Sequence, residues 1–127
     1  MRVLLTTYLW LALGGALGTL SRYALSGAID NRYGPSPLGI FVVNISGAFV
    51  IGFFLVLAQD RFLVSPDVRR FVAAGFCGGY TTFSTLAYET MTQLEDHNYW
   101  TAAANGLGSL AAGLVAVWLG MTLARAI

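Results

Sequence analysis

Gly75-Phe76-Cys77-Gly78-Gly79-Tyr80-Thr81-Thr82-Phe83-Ser84-Thr85 is the stretch on which the reading of this chain turns. It lies in the third of four uncharged apolar runs, where a membrane helix would ordinarily be built from Leu, Ile, Val and Ala. Here glycines are followed by hydroxyl residues with a phenylalanine among them. Glycine is a poor helix-interior residue and adopts backbone conformations that other residues avoid. The third helix is therefore expected to break near Gly78-Gly79. Opening a helix at membrane depth frees N–H and C=O groups that lipid cannot satisfy, so such backbone must face protein, water or an ion. A polar break in mid-span points to a functional site. The alternative is a Gly/Thr helix that only packs closely against its neighbours.

Working outward, the 127 residues are 57% hydrophobic and 10% charged, against about 25% charged in soluble domains. Residues 3–21, 33–59, 71–88 and 98–124 carry no charge. Each run reaches the roughly 18 residues that cross a hydrocarbon core of about 30 Å. The expected fold is an all-α membrane protein of four transmembrane helices, one domain over residues 1–127. The first run lacks a clear small-residue cleavage site and continues into a polar helix end, so it reads as a span and not a signal peptide. The connections, about ten residues each, leave no room for a soluble domain. A net charge of +1 offers no polybasic patch for nucleic acid or anionic lipid. The single cysteine, Cys77, cannot form an intrachain disulfide, and the single histidine, His97, reads as a solvated loop residue. No Cys/His/carboxylate cluster has metal-ligand spacing, and no Ser–His–Asp set can assemble within the membrane. Enzymatic readings are accordingly poor.

In the first span Gly14 and Gly18 share a helix face, the small-xxx-small spacing of a close interhelix contact. Arg22 follows one turn later, either snorkelling to the headgroups or facing a vestibule where its charge gathers anions. Residues 29–37 read as a turn region, with Tyr23 and Tyr33 as interface anchors. In the second span Asn44 lies one turn from Gly47 and Ala48, either as interhelix hydrogen-bond glue or as an N–H donor to a permeating anion. Ser65-Pro66-Asp67 reads as the capped start of the third helix. Glu89, one turn beyond Thr85, is a solvated helix-end carboxylate or a vestibule residue. Tyr99 and Trp100 mark an interface. Asn105, Ser109 and Gly113 fall on one face of the fourth span, a polar rail beside a Gly106, Gly113 and Gly120 seam. A membrane-helix serine can also bond its own i−4 carbonyl.

These segments together resemble the Fluc (CrcB) fluoride channel family, over nearly the whole chain. The resemblance is carried by Gly14 to Tyr23, by Val43-Asn44-Ile45-Ser46-Gly47-Ala48-Phe49 and above all by Gly78-Gly79-Tyr80-Thr81-Thr82-Phe83-Ser84-Thr85. It implies a passive fluoride-selective channel of the bacterial inner membrane, an antiparallel, dual-topology homodimer with two pores. It implies a structural Na+ at the dimer centre, held by backbone carbonyls at Gly78 and Thr81. It places Asn44, Phe83, Ser84, Thr85, Asn105 and Ser109 along the fluoride path, and Arg22 and Glu89 toward the vestibules. Two positions depart from the family pattern: Leu86 stands where a second phenylalanine is usual, and Asn105 where a tyrosine is usual.

The residue chemistry suits an anion path independently. Fluoride is strongly hydrated, so neutral N–H and O–H donors must replace its water, and Asn44, Thr82, Ser84, Thr85, Asn105 and Ser109 supply them. No lysine is present to trap the ion, and the arginines lie outside the span centres. A small multidrug-resistance-type exporter is the main rival, but it needs a membrane-embedded carboxylate, and the acids here lie in loops or at span ends. A non-transporting assembly subunit that uses its glycines for packing is a third reading.

Arginine placement bears on orientation. Arg2, Arg61, Arg69, Arg70 and Arg125 fall on the side of both termini, and Arg32, with Arg22 near the span end, on the other. The positive-inside rule then favours cytoplasmic termini, whereas an antiparallel dimer needs the opposite insertion as well. Either one chain inserts both ways or it pairs with an oppositely biased paralogue, and dual insertion is the expectation. Single cysteines introduced in the first and second loops should each be labelled from both faces of intact cells. Strictly one-sided labelling, with no fluoride flux from the chain expressed alone, would leave the paired-chain arrangement.

Overall fold

The protein is described here by a computed structural model covering residues 2–61 and 64–127. Phe62 and Leu63 of the expected second loop lie outside the described residues. All regular structure among the described residues is helical. Helix α1 (Arg2–Tyr33) has 32 residues, roughly 48 Å at 1.5 Å per residue. That exceeds a hydrocarbon core of about 30 Å, so the end bearing Asp30 and Arg32 projects beyond it. The turn expected over residues 29–37 is confined to residues 34–37. A charge ends a membrane span but not a helix, whose backbone bonds continue into water. Here the helix stops at Gly34, whose φ of 87° leaves helical space, just before Pro35 and Pro37. Helix α2 (Leu38–Val56) continues into a π-helical turn, Leu57–Arg61.

Among the described residues, three helices are long and apolar enough to cross a membrane: Leu4–Tyr33, Leu38–Gln59 and Tyr99–Ala126. The third apolar run is instead jointed. It starts at α3 (Pro66–Arg69), capped as expected by Ser65, whose side chain accepts the Val68 N–H. A π-helical segment, Arg70–Cys77, leads into the short α4 (Gly78–Tyr80). Thr81 and Thr82 are extended, and α5 (Phe83–Glu95) begins after them.

The break therefore falls at Thr81-Thr82 and not at the glycine pair, which is helical. Gly79 serves another purpose: a Cβ there would lie 2.5 Å from the Gly15 carbonyl oxygen and 3.0 Å from its Cα. Glycine at this position lets α4 approach α1. The small residues of α1 are used the same way, with Gly14 packed on Phe71 and Gly75, and Gly18 on Phe76 and Tyr80. Flexibility alone does not open a helix in a membrane; the freed groups need partners, and these occur at Thr82.

A tight three-residue connection turns α5 into α6 (Tyr99–Ala126). Asn98 N–H bonds Gln93 C=O at 2.8 Å and His97 N–H bonds Leu94 C=O at 3.1 Å, the bond pair of a Schellman ending. His97 takes its left-handed position, φ 59°. Helix α6 packs chiefly on α2. That contact is closest at one end, where Gly52 faces the Val117 backbone and Gly120 faces Phe49 and Phe53. At Gly113 it has widened, since a Cβ there would meet only the Ile45 Cδ1 at 3.9 Å. The expected glycine seam is thus closed at Gly120 and splayed toward Gly106, and the splay creates a groove.

Gly18→Val should sharply reduce folded protein, because the new side chain meets the Phe76 and Tyr80 backbone; we expect a loss of about 3 kcal/mol, the upper end for overpacking. Gly108→Ala, where a Cβ meets nothing within 4 Å, should be neutral or stabilise by up to about 1 kcal/mol. Unfolding midpoints in mixed SDS micelles measure both.

Candidate functional site

The site is built around the backbone of one residue, Thr82. Thr81 (φ −83°, ψ 158°) and Thr82 (φ −148°, ψ 113°) leave helical geometry, so their neighbours lose i→i−4 partners. Asn44 on α2 makes good the loss at Thr82. Its Oδ1 accepts the Thr82 N–H at 2.8 Å and its Nδ2 donates to the Thr82 C=O at 3.1 Å. A carboxamide carries a donor and an acceptor side by side, which matches the N–H and C=O of one residue. The structure thus gives Asn44 a backbone partner across the helices, and one N–H of its amide remains beyond that bond.

The hydroxyl cluster after the break caps α5. Thr82 Oγ1 accepts the Thr85 N–H at 3.2 Å and lies 3.0 Å from Thr85 Oγ1 and 3.3 Å from Ser84 Oγ. Thr and Ser are preferred at such positions because they satisfy the first free N–H groups of a helix. These two diversions have a shared consequence. The α-helical donors to the Gly78 and Thr81 carbonyls would be the N–H groups of Thr82 and Thr85, and both donate elsewhere. The Gly78 and Thr81 carbonyl oxygens are thereby left without their helical donors. Gly78 is exposed, and a Cβ there would meet nothing within 4 Å, so its surroundings are open.

The splayed α2–α6 pair and the break enclose an open groove of about 520 Å³. Asn44, Gly78, Thr81, Thr82, Phe83 and Ser109 all line it, and among the described residues no charged side chain does. Phe83 is 82% exposed, its ring uncovered by its own chain. Ser109 is buried, and its Oγ has no hydrogen-bond partner; it does not bond its own helix. A smaller groove of about 320 Å³ between α5 and α6 continues from the first and shares Phe83, Leu86 and Gly106 with it.

Other expected site residues stand apart from this groove. Asn105, at the head of the rail, is buried in the α5–α6 seam, donating to Thr90 Oγ1 at 3.2 Å and lying within hydrogen-bonding reach of Glu89. Thr90 passes the chain on by donating to the Leu86 carbonyl at 2.8 Å. Glu89 Oε2, Gln93 Oε1 and Asp30 Oδ1 are buried without partners toward the projecting end of α1. Arg22 is half-buried on α1 and does not line either groove. Ser84 and Thr85 serve the cap. Thr90 and the Ser46–Tyr80 contact, 2.8 Å between hydroxyl oxygens, were not singled out from the sequence. A tyrosine inside an apolar span does demand a partner for its O–H, but nothing in the linear order says which residue provides it.

Comparison with known proteins finds relatives over nearly the whole chain. The family model described as CrcB-like protein, Camphor Resistance (CrcB), matches residues 9–121. A protein of Geotalea uraniireducens named fluoride-specific ion channel FluC is 48% identical over 122 residues, covering 95% of this chain and 98% of its own length. Proteins of the same name from Opitutus terrae and Solibacter usitatus are 47% and 45% identical over 119 residues each, covering 91% and 93% of this chain and 90% and 98% of their own.

Asn44→Asp should be worse than Asn44→Ser. The carboxylate loses the donor to the Thr82 carbonyl and sets a negative oxygen against it, whereas serine keeps one hydroxyl. Leaving the buried peptide unpartnered costs about 1–3 kcal/mol, so Asn44→Asp should lower stability by that order and speed amide exchange at Thr82. Unchanged exchange in both variants would show that the break does not depend on Asn44.

Proposed function

Because the chain belongs to the CrcB-like protein family, we propose that it is a fluoride-selective channel through which fluoride leaves a bacterial cell passively across the inner membrane. The observation that carries this reading is the uncharged groove beside a broken helix, with neutral donors along it. Fluoride must shed tightly held water to enter a narrow path, and N–H and O–H groups offset that cost. Conduction also requires exit, which a lysine or arginine at the narrowest point would prevent. The free N–H of Asn44 and the unpartnered hydroxyl of Ser109 are the groups suited to pass the ion along, with Phe83 presenting the weakly positive edge of its ring. Ser84 and Thr85 border this row through the α5 cap, Asn105 lies off it in the α5–α6 seam beside Glu89, and Arg22 with Glu89 belongs to the vestibules, where charge gathers or meters ions.

The groove is open on one side and Phe83 is bare, so one chain supplies half of a pathway. A second copy in antiparallel orientation closes it and generates two equivalent pores about a two-fold axis. The released Gly78 and Thr81 carbonyls fit a structural sodium ion, since hard cations take oxygen ligands. Two such carbonyls from each copy would hold it near the axis. A sodium ion held there by these carbonyls would offset the freed dipoles and link the two breaks.

Protein reconstituted in liposomes should release fluoride rapidly and retain chloride. Phe83→Ile should cut fluoride efflux at least about 100-fold, equivalent to about 2.7 kcal/mol, while the dimer persists on size-exclusion chromatography. Absence of fluoride efflux from the unaltered protein would overturn the channel reading; unaltered efflux from Phe83→Ile would remove Phe83 from the path.

A further inference from the structure

Helix α2 holds the break at a second point. Tyr80, the last helical residue before it, is buried, and its phenol oxygen lies 2.8 Å from Ser46 Oγ. The direction of this bond follows from counting protons. Ser46 has one hydroxyl proton, and it is placed to donate to the Val43 carbonyl at 3.1 Å. Its oxygen is then left to accept, and the Tyr80 O–H donates to it. The result is a relay from phenol to hydroxyl to backbone carbonyl, ending on an α2 residue whose own side chain is fully buried. The Tyr80 ring is also held on its faces. It stacks on Phe76 with centroids 5.6 Å apart and planes 11° from parallel, and it lies over Gly47, where a Cβ would come within 3.1 Å of Cδ1.

Asn44 and Ser46 therefore grip the chain on either side of Thr81, one through the Thr82 backbone and the other through the Tyr80 side chain. The peptide planes between the two grips have little freedom to rotate. We propose that Ser46 and Tyr80 are positioning residues, forming a latch that sets the direction of the Thr81 carbonyl at the break. The effect on ion flux rests on the channel reading and on sodium binding at this oxygen; the effect on the backbone does not. Neither residue touches the permeating ion, and their influence passes through the aim of that carbonyl.

The test uses Tyr80→Phe and Ser46→Ala, which each delete one hydroxyl and leave the packing of the ring, and the double variant. Each single variant should raise amide exchange at Thr81 and Thr82 about tenfold, with a near-unchanged unfolding midpoint. Each should also raise about tenfold the sodium concentration giving half-maximal fluoride efflux, and the double variant should be no worse than either single one. Ser46→Thr, which keeps a hydroxyl, should restore both readouts, and Tyr88→Phe, on the exposed face of α5, should change neither. Unchanged exchange in both single variants would overturn the latch. Raised exchange with unchanged sodium dependence would overturn its positioning role. Should the unaltered protein conduct no fluoride, the channel reading fails and amide exchange alone decides the latch.

Discussion

The hydrogen bonds between the Asn44 side chain and the Thr82 backbone are what the rest of this fold accommodates. An unsatisfied N–H or C=O in hydrocarbon costs several kcal/mol, roughly the scale of a whole domain's net stability. A helix can break at this depth only where another group supplies both a donor and an acceptor. Asn44 does so at 2.8 and 3.1 Å, and α2 must come close enough to deliver it. Gly47 makes that approach possible, because any side chain there would meet Thr81 and Tyr80. The Thr82 hydroxyl, left beside the break, then begins a new helix by accepting the Thr85 N–H. One substitution for a missing helical bond thus dictates a glycine on one helix, a threonine cap on another and two released carbonyls between them.

Close approach elsewhere leaves space where it is needed. The third run is drawn against α1 by Gly14, Gly18, Gly75 and Gly79, and α6 against α2 by Gly52 and Gly120. These contacts are backbone to backbone, which suits a membrane, where lipid is as apolar as leucine and van der Waals packing decides association. The α2–α6 pair is tight at one end only. At the other it diverges past Gly113 and Ser109, and Asn44, Thr81, Thr82 and Ser109 line that divergence.

The electrical character of the groove follows from the same residues. Its donors are neutral, and the charged groups are kept to the ends of the bundle. A carboxamide, a hydroxyl and an aromatic edge can each favour an anion slightly without trapping it, which is a requirement of flux and not of tight binding. The hydroxyls divide between two settings: some complete the cap of α5, while Ser109, on the groove wall, keeps a buried oxygen without a partner.

Much of this was legible in the linear order. Four long uncharged runs with glycines at helical spacing specify a multi-pass helical membrane protein, since lipid permits no other use for them. The Gly78 to Thr85 stretch marked the third run as unlike the others, and Ser65-Pro66-Asp67 marked the start of its helix. What the sequence by itself could not decide was where the third helix opens. Local propensity points to Gly78-Gly79, but propensity measures the ease of leaving a helix and not the provision of partners afterwards. The partner for Thr82 is a side chain 38 positions away, and the partner for Tyr80 is 34 away. The length of α1 was missed for a related reason, because charge reports the edge of the bilayer and not the end of a helix. Composition and spacing determined which segments enter the membrane; the tertiary structure alone decided which peptide is released within it, because that depends on hydrogen bonds made between helices.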